Sequence, residues 1–80
     1  MLKEIRKPWF MKEYEPLEEL MTRLEVDASN NYKDNARKWF RQLEELWAQV
    51  EQEKVLNEKQ QAYYLARMEY YRRHMKDYHH

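Results

Sequence analysis

Residues 36–50, ARKWFRQLEELWAQV, decide the fold. Ala36, Trp39, Phe40, Leu43, Leu46, Trp47 and Val50 recur at intervals of three and four, the spacing that gathers side chains on one face of an α-helix. At about 100° per residue they occupy an arc of about 120°, with Arg37, Lys38, Arg41, Glu44, Glu45 and Gln49 outside it. So broad an apolar arc needs cover from at least two other helical surfaces. The pattern predicts a helix over residues 31–54 that acts as the spine of a small domain.

Upstream lies the polar stretch DASNN, residues 27–31, read as a loop with Asn30 or Asn31 as the next N-cap and Asp34 in the first turn. Before it, Glu15-Pro16 marks a helix start, because proline suits the first helical position and glutamate favours the positive end of the helix dipole. A first helix over 16–27 follows, with a narrow stripe of Leu17, Leu20, Met21 and Leu24. Glu18, Glu19, Arg23 and Glu25 flank it and read as a solvated face. Residues 1–14 form an N-terminal arm in which Pro8 interrupts any helix. Its mixture of basic and aromatic residues suits a membrane surface, but the simpler expectation is an arm that lays Ile5, Trp9 and Phe10 over the bundle. Should the arm stand away, Trp9 and Phe10 become a second candidate patch.

Downstream, the stripe thins at Glu51, Gln52, Glu53 and Lys54, and Asn57 followed by Gln60 resembles a capping box. A turn near Leu56-Asn57 opens a third helix over 57–78, with Val55 and Leu56 as plugs at the end of the bundle. The expected fold is all-α, a small antiparallel three-helix bundle with a short N-terminal arm, in one domain spanning 1–80. The alternative is one long helix in a dimer, because Ala36, Leu43, Val50, Asn57, Tyr64, Tyr71 and Tyr78 keep a seven-residue register. The polar gap at Glu53, Lys54, Asn57, Gln60 and Gln61 favours the hairpin.

Composition bounds the function. Leu, Ile, Val and Phe supply only 14 of 80 residues, and seven Tyr, three Trp and five Met carry the rest of the apolar mass. Lys plus Arg equals Asp plus Glu at 15 each, which argues against a protein built mainly to neutralise nucleic acid. The absence of cysteine removes thiol chemistry and fits a reducing compartment, so a cytoplasmic location is expected. With no glycine there is no phosphate-cradling loop, and turns must rely on Asn and Asp. Nothing resembles a signal-peptide core or a membrane span, and no membrane partner is expected. Such a composition suits a fast-evolving natural chain or an engineered helical one.

The third helix holds the candidate site. YYLARME at 63–69 is followed by YYRRHMK at 70–76, an internal repeat in which Tyr63 matches Tyr70, Tyr64 matches Tyr71 and Met68 matches Met75. Tyr64, Met68, Tyr71, Met75 and Tyr78 share the face expected to be core, with Leu65 at its edge. Tyr63, Arg67, Tyr70 and His74 form a flank in excess of what one bundle interface buries, and Tyr and Arg are enriched where interfaces concentrate energy. The expected function is therefore a non-enzymatic protein-interaction or regulatory module that binds another protein through this flank. One alternative is nucleic-acid binding, with Arg72, Arg73 and Lys76 on phosphates and tyrosines stacked on bases. Another is self-assembly, with a second copy of the chain covering the tyrosines. No cofactor or metal is expected: His74 and Asp77 share a face and His79 and His80 follow, but a rim residue and a chain end explain them. Catalysis is not expected either, since Ser29 and Thr22 are the sole serine and threonine and neither has a histidine near it in sequence.

Overall fold

The computed structural model describes residues 7–76, the Lys76 side chain excepted. Three helices, α1 (Glu15–Ser29), α2 (Lys33–Glu53) and α3 (Glu58–Lys76), make up the fold, with no strand among the described residues. The all-α three-helix bundle expected from the hydrophobic periodicity is the one observed. Leu2, Ile5 and Tyr78 lie outside the described residues.

Pro16 and the first-turn acids Glu15 and Glu18 open α1 as expected. Its N-cap, Tyr14, makes no side-chain cap, and its backbone does the work instead. The Tyr14 carbonyl accepts from the Glu18 N–H at 3.1 Å, and the Tyr14 N–H donates to the Tyr64 hydroxyl at 2.9 Å. α1 then outruns the expected loop, because Asp27, Ala28 and Ser29 remain helical. Asp27 is held in place by the Trp39 indole N–H, which donates to its carboxylate at 2.8 Å, and Ala28 packs against the core.

The turn into α2 also differs from expectation. Neither Asn30 nor Asn31 caps α2; its N-cap is Tyr32, again without a side-chain bond. Asn31 instead adopts φ 64°, the left-handed conformation that a chain without glycine must find elsewhere. The N–H groups of Asn30, Asn31 and Tyr32 donate back to the carbonyls of Val26, Ala28 and Asp27, satisfying the end of α1.

α2 buries Ala36, Phe40, Leu43, Trp47 and Val50, while Trp39 and Leu46 are half-buried at the edges of the stripe. It stops at Glu53 because Lys54 turns left-handed at φ 54°, its N–H closing on the Val50 carbonyl at 3.0 Å. The chain therefore forms the hairpin and not the continuous rod. Of the two expected plugs only Leu56 packs on the core; Val55 is exposed.

α3 opens on a reciprocal capping box. The Asn57 N–H donates to the Gln60 side-chain oxygen at 2.9 Å, and the Gln60 N–H donates to the Asn57 side-chain oxygen at 2.8 Å. Gln60 is itself buried, and its amide donates to the Lys12 carbonyl at 2.9 Å, fastening the arm. Met11 anchors that arm in the core. Trp9 does not lie over the bundle and Phe10 does so only through the Lys59 side chain of α3, neither ring entering the core, which corrects the expectation for both.

Cross-helix partners define the topology. Trp39 near the start of α2 meets Asp27 near the end of α1, and Arg72 of α3 meets Glu44 of α2, so successive helices are antiparallel. Glu18 reaches Tyr64 and Arg67 while Glu25 reaches Arg67 and Tyr71, so α1 and α3 run parallel. The backbones of α1 and α2 approach closely; α3 stands further off, and long side chains span the gap. Leu17, Met21 and Leu24 of α1 are fully buried against this assembly, each such side chain stabilising it by about 1.5 to 3 kcal/mol.

Candidate functional site

The flank singled out on α3 is only partly a surface. Tyr63, Tyr70 and His74 are half-buried on one side of the helix. The Tyr70 and His74 rings stack with centroids 6.2 Å apart and planes 7° from parallel, and Tyr63 meets Tyr64 edge to face at 5.1 Å. The Tyr70–His74 contact follows from the spacing, because residues four apart on a helix lie one above the other.

Arg67 departs from this group. Its guanidinium turns inward and the residue is 5% exposed. One terminal nitrogen, Nη1, donates to Glu18 at 2.8 Å and the other, Nη2, to Glu25 at 2.8 Å. Nη2 and Nε also donate to the Tyr71 hydroxyl at 2.8 and 3.2 Å. The Tyr63 hydroxyl accepts a longer bond from Nη1 at 3.4 Å. Arg67 is thus a buried hub and not the exposed interface arginine expected. Glu18 and Glu25, expected on a solvated face, are its partners across the α1–α3 seam, with side chains only 19% and 25% exposed. The physical reason is reach: α3 stands off from α1, and a guanidinium with fork geometry can bridge two carboxylates where aliphatic side chains would leave a void.

Two tyrosines complete the network. The Tyr64 hydroxyl accepts from the Tyr14 N–H and donates to Glu18 at 2.7 Å. The Tyr71 hydroxyl accepts from Arg67 and donates to Glu25. Burial pushes both phenols above their ordinary range; the Tyr14 N–H partly offsets this at Tyr64 and Arg67 partly offsets it at Tyr71. For Arg67, burial alone would favour deprotonation, but Tyr71 and the hydrogen-bonded Glu18 outweigh it and hold the guanidinium above its usual value. The phenols therefore remain protonated at neutral pH and act as hydrogen-bond donors, not as nucleophiles or bases. One guanidinium faces two carboxylates, so the seam contains one more carboxylate than cation.

The other candidate residues lie apart from this seam. Trp9 is 90% exposed and Phe10 52% exposed, in edge-to-face contact at 5.5 Å. Arg72 and Arg73 are exposed on α3, Arg72 at 3.7 Å from Glu44, and the Lys76 side chain is outside the described residues. No three His, Cys, Asp or Glu side chains converge as a metal site among the described residues; Asp77, His79 and His80 fall outside them. Ser29 and Thr22 are exposed. No helix among the described residues is long and apolar enough to cross a membrane.

Sequence reasoning missed Glu18, Glu25 and Arg67 as one unit. A signal was present: the two glutamates are seven residues apart, on the same side of a stripe too narrow to cover two neighbouring helices. No family model, no curated protein and no solved structure matches the chain.

Proposed function

We propose that the chain is a non-enzymatic protein-interaction module that engages another protein through Tyr63, Tyr70 and His74 on the flank of α3. The observation that carries this reading is the Tyr70–His74 stack, two flat rings held parallel at 6.2 Å beside the half-buried Tyr63 ring. Aromatic side chains with few rotatable bonds lose little entropy when a partner covers them, which makes such a surface suited to binding. Arg67 supports the surface from beneath, through Tyr63, Tyr71 and the two glutamates. The carboxylate in excess at the seam favours a partner segment that brings a lysine or arginine beside an apolar side chain. A cysteine-free chain with exposed Ser29 and Thr22 suits a binding role in the cytoplasm better than covalent catalysis.

The test is capture of partners from extract of the native cell by tagged wild-type, Tyr63→Ala and Tyr70→Ala chains, with light scattering on each purified protein. The expected result is a partner whose recovery falls by about thirtyfold in Tyr70→Ala, the loss for a 2 kcal/mol interface anchor. A dimer that dissociates in Tyr70→Ala would identify that partner as a second copy. Identical capture and oligomeric state across all three chains would overturn the assignment.

A further inference from the structure

We infer that the turn at Pro8–Met11 is a membrane-contacting tip, which places Trp9 and Phe10 in the headgroup layer of an anionic bilayer surface. The inference is independent of the α3 flank and rests on where the arm is tied and where it is not. The Met11 N–H donates to the Pro8 carbonyl at 3.0 Å, closing a four-residue turn whose two central residues are Trp9 and Phe10. Immediately behind the turn the chain is fixed to the bundle: Met11 is in the core, Gln60 holds the Lys12 carbonyl, and Tyr64 holds the Tyr14 N–H. The two rings are therefore presented outward from an anchored base and are not simply frayed.

What they are presented to follows from shape and charge. Both sit at the apex of a turn, a convex feature that enters a soft layer more readily than it fills a preformed pocket. Tryptophan is the side chain enriched at the boundary between lipid and water, where an apolar ring and a polar N–H can both be satisfied. Lys7 and Lys12 flank the turn in sequence and are exposed, and the exposed Lys59 places its ammonium 3.7 Å from the centre of the Phe10 ring. Against them stand Glu13, paired with Lys7 at 3.2 Å, and Glu58, next in the chain to Lys59. With Lys7 paired to Glu13, Lys12 and Lys59 against Glu58 leave one net positive charge among these residues, the sign that anionic lipid attracts. One of the reasons for expecting no membrane partner was an arm whose rings cover the bundle; in the fold it is Met11 that enters the core.

The experiment is co-sedimentation of the full chain with vesicles of phosphatidylcholine alone and of phosphatidylcholine containing phosphatidylserine, with tryptophan emission recorded in parallel. Wild-type chain is expected to sediment with the phosphatidylserine vesicles, more weakly at high salt, with a blue shift in emission. Trp9→Ala and Phe10→Ala are each expected to lower partitioning by about tenfold or more. Lys12→Ala and Lys59→Ala are each expected to lower it by about fivefold on phosphatidylserine vesicles only. Because Trp9 is exposed, Trp9→Ala melts as the wild type does, so loss of binding is not loss of fold. Absence of sedimentation with either vesicle, or equal sedimentation of wild-type and Trp9→Ala chains, overturns the inference. So does a lipid-free dimer abolished by Trp9→Ala, which would give the rings to a second copy.

Discussion

Arg67 on α3 donates to Glu18 on α1 at 2.8 Å, and this ion pair between residues 49 apart in sequence sits where the two parallel helices would otherwise be separated by a gap. The same guanidinium holds Glu25, so truncating it strands two carboxylates that are largely covered by protein. Arg67→Ala is expected to destabilise the fold by about 3 to 5 kcal/mol, most of what a domain of this size possesses. Urea denaturation followed by circular dichroism measures it. A quadruple variant, Arg67→Met with Glu18→Leu, Glu25→Leu and Tyr71→Phe, is expected to recover most of the loss, because the cost lies in the abandoned charges and in the phenol that hydrogen-bonds to them and not in the absence of a salt bridge.

Alkaline pH is expected to weaken the fold through Tyr64 and Tyr71. Burial raises both phenols in the folded state, so the stability each contributes is fully present below the unfolded value near 10 and is lost as pH rises towards the folded value. The slope approaches about 1.4 kcal/mol per pH unit for each tyrosine. Urea midpoints measured from neutral to strongly alkaline pH test this. Tyr64→Phe and Tyr71→Phe should each remove one share of the slope.

Lys54 holds a left-handed backbone, which costs a residue with a Cβ about 1 kcal/mol that glycine does not incur. Lys54→Gly is therefore expected to raise the melting temperature by about 4 to 8 °C. An unchanged or lower melting temperature would mean that the lysine side chain compensates for its backbone.

Gln60 serves α3 and the arm at once, and two substitutions separate the roles. Gln60→Ala removes the acceptor of the Asn57 N–H as well as the bond to the Lys12 carbonyl, leaving the Asn57 side chain to cap the residue 60 N–H, and is expected to cost about 1 to 2 kcal/mol. Gln60→Glu retains an acceptor for the Asn57 N–H but has no donor for Lys12. Hydrogen exchange should then show faster exchange confined to residues of the arm, with the first turn of α3 still protected.

The seven-residue stripe of α2 was legible because one period over fifteen residues fixes an apolar face without tertiary information. The break before α3 was legible for a local reason as well, since Asn57 and Gln60 are three residues apart and cap each other. The seam between α1 and α3 was not. Glu18 and Glu25 look like solvent-facing neighbours of a leucine stripe, and only the stand-off of α3 turns them inward. Arg67 grouped with Tyr63, Tyr70 and His74 on a helical projection, which gives angle but not reach; a side chain of that length can bend towards either side. The arm was opaque for a third reason. In a proline-broken segment there is no period, so nothing in the sequence distinguished Met11, which docks, from Trp9 and Phe10, which do not.

The repeat in α3 makes Arg67 more than an anchor. If α3 slid by seven residues along α1, Tyr70 and Tyr71 would fall where Tyr63 and Tyr64 now stand, and Met75 where Met68 stands, with no change of side chain. At those three positions the packing would be chemically the same, while Arg72 and Arg73 would take the places of Leu65 and Ala66. At the hub position, however, His74 would replace Arg67, and an imidazole has neither the length nor the donors to hold Glu18 and Glu25 together. The repeated tyrosines and methionine fit two alignments of the helices, and the guanidinium at the hub fits one of them.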